Sequence, residues 1–152
     1  MKAESELIDD NELLYRRVHR DRFRSEKIPY LSPTAFEPRA TGKDPDTDGI
    51  SFFRASCIRE AAEILALITD DEKRRANGIV AVKAGEIRKL GLSISITPRT
   101  DIAGHVSIPE MSALAISDKK LKQQCKDWMD KLAIIASDES CIVLLPDKVN
   151  PR

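Results

Sequence analysis

Arginine, serine and histidine at the ends of short apolar runs are residue types that can hold an anion, and this chain has four such patches. Leu13-Leu14-Tyr15-Arg16-Arg17-Val18-His19 carries two adjacent guanidinium groups and an imidazole on a β-type run. The others are Leu31-Ser32-Pro33-Thr34-Ala35-Phe36, Phe52-Phe53-Arg54-Ala55-Ser56 and Gly104-His105-Val106-Ser107-Ile108-Pro109. The candidate anion or ligand site therefore comprises Arg16, Arg17, His19, Ser32, Arg54, Ser56 and His105. Guanidinium groups suit bidentate contact with phosphate or carboxylate. Ser56 at the start of a helix would add an N–H-rich anion site.

Strand geometry limits this constellation. Consecutive strand residues point to opposite faces, so only one of Arg16 and Arg17 enters a given pocket from a regular strand. The plainer alternative pairs Arg54 with an acid such as Asp48 and leaves Ser56 as a helix cap. Gly104 before His105 fits either close approach of a ligand or a tight turn. As a general acid or base His105 would need a partner that the sequence does not identify, and a hydrogen-bonded structural histidine is the simpler reading. Tyr15 and Phe52 or Phe53 could stack on a base, but core packing is the stronger expectation for the phenylalanines.

No GxSxG, GxxxxGK[ST] or HExxH motif is present, so no catalytic signature is assigned. His19 and His105 are the only histidines, and no cysteine lies at zinc-ligand spacing from either. The expectation is no metal and no cofactor. Asp44-Pro45-Asp46-Thr47-Asp48-Gly49 reads as a turn, because the other ligands of a calcium loop are missing.

The 152 residues suffice for one domain, and 41% apolar against 33% charged residues is a globular balance. With 25 basic and 25 acidic residues the formal charge is zero, which argues against a dedicated duplex-DNA binder. The charge is uneven, with an acidic lead through Asp10 and a basic stretch from Arg16 to Lys27. Such a stretch is either an anion-attracting surface or a solvated loop. Cys57, Cys125 and Cys141 are odd in number and lack CxxC spacing, as expected of reduced thiols. No leader-like apolar stretch follows Met1, and no run approaches a membrane span. The expected location is the cytoplasm, without membrane attachment.

The elements that must position these side chains follow from periodicity. Residues 1–11 are polar and read as a flexible terminus, with residues 12–152 as one α+β domain. Strands are expected at Leu13–Val18, Ile50–Arg54, Gly78–Val82, Leu92–Thr97, His105–Ile108 and Cys141–Leu145. Helices are expected from Ser56 to Ile68, from Ala84 to Leu90 before Gly91, and from Asp118 to Ser137. In the last, Leu121, Cys125, Trp128, Leu132 and Ile135 form one apolar stripe. The architecture is a compact α+β domain with a mixed sheet of five to six short strands and about three helices, ending in an amphipathic helix.

The string Glu12–His19, the patch Ser32–Phe36, the segment Asp48-Gly49-Ile50-Ser51 with Arg54-Ala55-Ser56, the run Gly78–Val82 and Gly104-His105 together resemble a group of small bacterial proteins. These share an opening LYRR, a serine-plus-AF patch, a central S-x-x-R-x-S and a late histidine before an apolar strand. The likeness spans residues 12–109 and implies a bacterial source and one polar site, with no transferable activity. The chain departs from the group at Gly104-His105-Val106 and in its C-terminal helix and strand. Two functions fit these observations. One is a binding or adaptor module working with protein partners in a multi-protein system, possessing an anion, phosphate or nucleotide pocket. The other is a small nucleotide-processing or ADP-ribosyl-transfer-like enzyme, which requires Arg16, Arg17, Arg54 and His105 to converge.

Overall fold

β-Compatible side chains on both faces of Leu13–His19 make it a strand that can be covered from either side. In the computed structural model, which describes residues 8–24, 30–40 and 45–147, this segment is β1 and lies inside the sheet. The other strands are β2 (Phe23–Arg24), β3 (Tyr30–Leu31), β4 (Ile50–Arg54), β5 (Asn77–Lys83), β6 (Ser95–Ile96), β7 (His105–Ile108) and β8 (Ile142–Leu144). Helices are α1 (Ala62–Leu65), α2 (Asp71–Arg75), α3 (Ala84–Lys89), α4 (Ala113–Ser117) and α5 (Lys119–Ala136).

Six strands form one sheet in the order β6-β7-β4-β1-β5-β8, and β2 with β3 forms a separate ribbon. The α+β class is as expected. The sheet is not mixed, however: every pairing in it is antiparallel. Parallel neighbours need a crossover that returns the chain to the same end of the sheet. No two neighbouring strands are joined that way, because α3 leads from β5 to β6, which lie apart.

Period-2 alternation splits the sheet into two unequal faces. Leu14, Val18, Ile50, Phe52, Val80, Val82, Val106 and Ile108 point into the main core. The amphipathic helix α5 supplies Cys125, Met129, Leu132, Ala133 and Ala136 to the same core. Asp118 starts α5 by accepting from the N–H groups of Lys120 and Leu121. The inward stripe is rotated from the expected one, since Leu121 is exposed while the small Ala133 and Ala136 are enclosed. The second face carries a smaller cluster of Phe53, Ile58, Ile64 and Ile79, with Tyr15, Leu65, Ile102 and Leu144 packed against it.

Three local expectations change. Residues 1–7 lie outside the described residues, but Ile8 is buried and its carbonyl accepts from Arg88, so the folded unit begins before residue 12. No helix runs from Ser56 to Ile68. Residues Ala55–Cys57 form a 3₁₀ turn, Ile58 is extended (φ −123°, ψ 132°), and regular helix is confined to α1. Leu92–Thr97 contributes only β6 to the ladder. Asp44 of the proposed turn is likewise outside the described residues; the remainder does turn, with Gly49 N–H donating to Asp46 O.

Candidate functional site

The seven residues chosen from sequence occupy four different environments. Arg16 points to the main-core face, where its guanidinium lies against the stacked pair of Phe36 and Phe52, at 5.6 and 5.7 Å from ring centroids that are themselves 6.3 Å apart. Its Nε donates to Ala35 O and its Nη1 to Ser51 O, both at 2.9 Å. The aromatic faces and the carbonyls compensate a charge that the core would otherwise reject. Burial pushes the Arg16 pKa down to about 10, against the attraction of Asp46. The group is committed to the fold.

Arg54 and Ser56 form a second cluster, with Glu12. The Arg54 guanidinium grips the Glu12 carboxylate through Nε (3.0 Å) and Nη2 (2.8 Å), and Ser56 Oγ donates to the same carboxylate. The acid partner of Arg54 is therefore Glu12 rather than Asp48. Burial works to raise the Glu12 pKa, but the hydrogen bonds from Arg54 and Ser56 and the Arg54 charge outweigh it and hold the carboxyl below its ordinary value. Ser56 caps no helix; its hydroxyl closes this ion pair. His19 and Ser32 are local caps of a third kind. His19 Nδ1 accepts from Asp21 N–H, and Ser32 Oγ accepts from Thr34 N–H at the start of the Pro33–Phe36 turn.

Arg17 and His105 remain, and both lie on the second face. Register fixes this: Tyr15 pairs with Phe53, and Phe53 pairs with His105. Two residues further along that face stand Arg17 on β1 and Ser51 on β4. Ser51 in turn pairs with Ser107 and Ser107 with Ser95. A row of hydroxyls thus runs across the sheet beside the imidazole.

The hydrogen bonds in this row fix its proton positions. His105 Nδ1 lies 2.7 Å from Thr97 O, a carbonyl that can only accept. Nδ1 therefore carries the proton, an assignment that rests on the network. Nε2 is then the bare nitrogen of a neutral ring, and Ser51 Oγ, 2.9 Å away, donates to it. Thr97 Oγ1 sits 2.8 Å from both His105 Nδ1 and Ser107 Oγ. Phe53 packs edge-on against the imidazole at 5.3 Å. Burial first, and then the Arg99 charge, push the His105 pKa down; the Thr97 hydrogen bond and the charges of Asp101 and Asp48 oppose them. His105 and Ser107 are buried, while Ser51 and Thr97 keep partial contact with solvent.

Arg17 is exposed beside this row. Among the described residues its guanidinium has no hydrogen-bond or ion-pair partner. Lost hydration first, and then repulsion by Arg39 and Arg99, push its pKa below the ordinary arginine value, and no carboxylate offsets them. Arg99 is held bidentately by Asp101.

Gly104 has φ +84°, which glycine adopts without strain. A Cβ there would come within 2.7 Å of Cys57 Cβ, so the glycine serves a tight turn. Ser51 and Thr97 were missed from sequence. Ser51 stands two residues before Phe53 in the S-x-x-R-x-S segment, and strand alternation alone puts both on one face. Thr97 closes the contact across a hairpin, which the residue types do not encode. A hollow of about 300 Å³ lies elsewhere, between α1, α2 and β8, and none of the seven residues lines it.

No cluster of His, Cys, Asp and Glu suited to a metal ion occurs among the described residues, and no helix there is long and apolar enough to cross a membrane. Comparison of the chain with protein-family models, curated proteins and solved structures returned no match.

Proposed function

We propose that this chain is a binding module that holds a phosphate-bearing ligand, a nucleotide or a phosphorylated partner segment, at Arg17 on the second face of the sheet. One observation carries the reading. Arg17 is a solvent-accessible arginine with no hydrogen-bond or ion-pair partner among the described residues; its charge is partly stripped of water and lies near those of Arg39 and of Arg99, the latter held by Asp101. A bound dianion would relieve that repulsion and meet the fork geometry of the guanidinium.

The alternative enzyme constellation gains no support from this geometry, because Arg16 and Arg54 are committed to other contacts on other parts of the sheet. The reading places the protein in the bacterial cytoplasm with a protein partner; the resemblance of its LYRR and S-x-x-R-x-S patches and its unpaired cysteines are what favour that setting.

Thermal unfolding with inorganic phosphate, ADP and NAD tests the reading. A ligand at 100 times its Kd adds about 2.7 kcal/mol to native stability. The expected result is a rise in Tm with phosphate-bearing ligands that Arg17→Gln removes. A Tm unmoved by all three ligands refutes it.

A further inference from the structure

We infer that Ser51 is a nucleophile activated by His105, and that the phosphate-bearing ligand held at Arg17 is an activated phosphate ester or anhydride whose phosphoryl group Ser51 accepts. This inference rests on the anion-binding reading of the same face. It adds a reaction at the atom beside the bound group.

Three features support it. Ser51 Oγ donates to the unprotonated Nε2 of His105 at 2.9 Å, within the reach required of a nucleophile and its base. The ring is fixed in the required tautomer by a third group, because Nδ1–H is held by Thr97 O at 2.7 Å. The backbone of Ser51 is pinned from behind, where Arg16 Nη1 donates to Ser51 O at 2.9 Å. The nucleophile thus sits on a rigid strand, with its carbonyl tied to the core face and its hydroxyl turned to the face of Arg17.

The chemistry balances without an added reactant beyond water. Ser51 Oγ attacks phosphorus as its proton passes to His105 Nε2. The bond from phosphorus to the leaving oxygen breaks, and His105 returns the proton to that oxygen. Water then attacks the phosphoserine and gives a proton to His105 Nε2; the Ser51 O–P bond breaks to release inorganic phosphate, and His105 returns the proton to Ser51 Oγ, restoring the hydroxyl and the neutral ring. The guanidinium of Arg17 faces the charge that develops on the non-bridging oxygens.

A fluorophosphonate probe tests the nucleophile directly, since it reports reactivity at serine without requiring the natural ligand. The full chain is incubated with the probe, digested and mapped by mass spectrometry, with circular dichroism confirming that each variant is folded. The expected result is one adduct on Ser51, absent in Ser51→Ala and formed roughly 100-fold more slowly in His105→Gln, the range of a lost general base. Inorganic phosphate slows the labelling of the native chain, and Arg17→Gln removes that protection. An unlabelled Ser51, or labelling at the same rate in folded His105→Gln, overturns the inference even where phosphate still raises Tm. A His105-dependent adduct that phosphate does not protect leaves the nucleophile standing and overturns the anion site instead.

Discussion

Two neighbouring arginines on one strand meet opposite fates, and the contrast between the two sheet faces explains why. Arg16 turns toward the main core, where two phenylalanine rings and two carbonyls surround its guanidinium. Arg17 turns toward the thinner face, where other arginines are its charged neighbours. The same side chain is structural in one place and available in the other because a strand reverses direction at each residue. A doubled arginine is therefore no sign of a doubled site. The available charge is the one whose surroundings leave it uncompensated.

Removing each arginine in turn should separate the two faces most clearly. Arg16→Ala leaves two carbonyls without their donor and a gap beside the stacked rings, and should cost about 3 kcal/mol or more in urea unfolding. An effect below about 1 kcal/mol would mean that the contact of Arg16 with the Phe36–Phe52 pair is incidental. Gly104→Ala strains a left-handed position at the entry to β7 and should cost roughly 1–3 kcal/mol. It tests whether the second face depends on that turn; an unchanged denaturation midpoint would show that it does not.

A smaller effect concerns pH. His105 is held below its ordinary value of 6.5, so between the two values the unfolded chain binds more protons than the folded one. Stability from the neutral ring is complete above about 6.5 and is lost as pH falls through and below it. The Tm gap between the native chain and His105→Gln should narrow from pH 7.5 to pH 5, by roughly 2–4 °C for each kcal/mol lost. A constant gap would mean that the imidazole is not kept neutral by its surroundings. Smallest of all, Arg17→Gln should leave stability within about 0.5 kcal/mol of the native chain. A larger loss would place Arg17 in the same structural class as Arg16 and erase the contrast.

Much of the scaffold was legible in the residues. The alternation at Arg16 and Arg17 correctly separated their faces, and the stripe through Cys125 and Leu132 located α5 to within a residue at each end. The segment after Arg54 was not legible. Its apolar spacing suits a helix, but the Ser56 hydroxyl is drawn to Glu12, 44 residues earlier in the chain, and Ile58 remains extended to reach the smaller core. The candidate site was harder still. His105 stood out by residue type, yet its partners come from β4 and from Thr97, and only register brings them together. Spacing in sequence reports which face a residue takes, but not which strand lies beside it.

The position of β1 inside the sheet has a consequence for biosynthesis. Leu13 opens the first strand, yet its partner on β5 is Lys83, and His19 pairs with Asn77. At about 5–20 residues per second, β1 leaves the ribosome several seconds before that neighbour exists. Leu14 and Val18 must wait unpaired during that interval. The charges that flank them, Arg16 and Arg17 included, would then help to keep the nascent strand from pairing with another copy of itself.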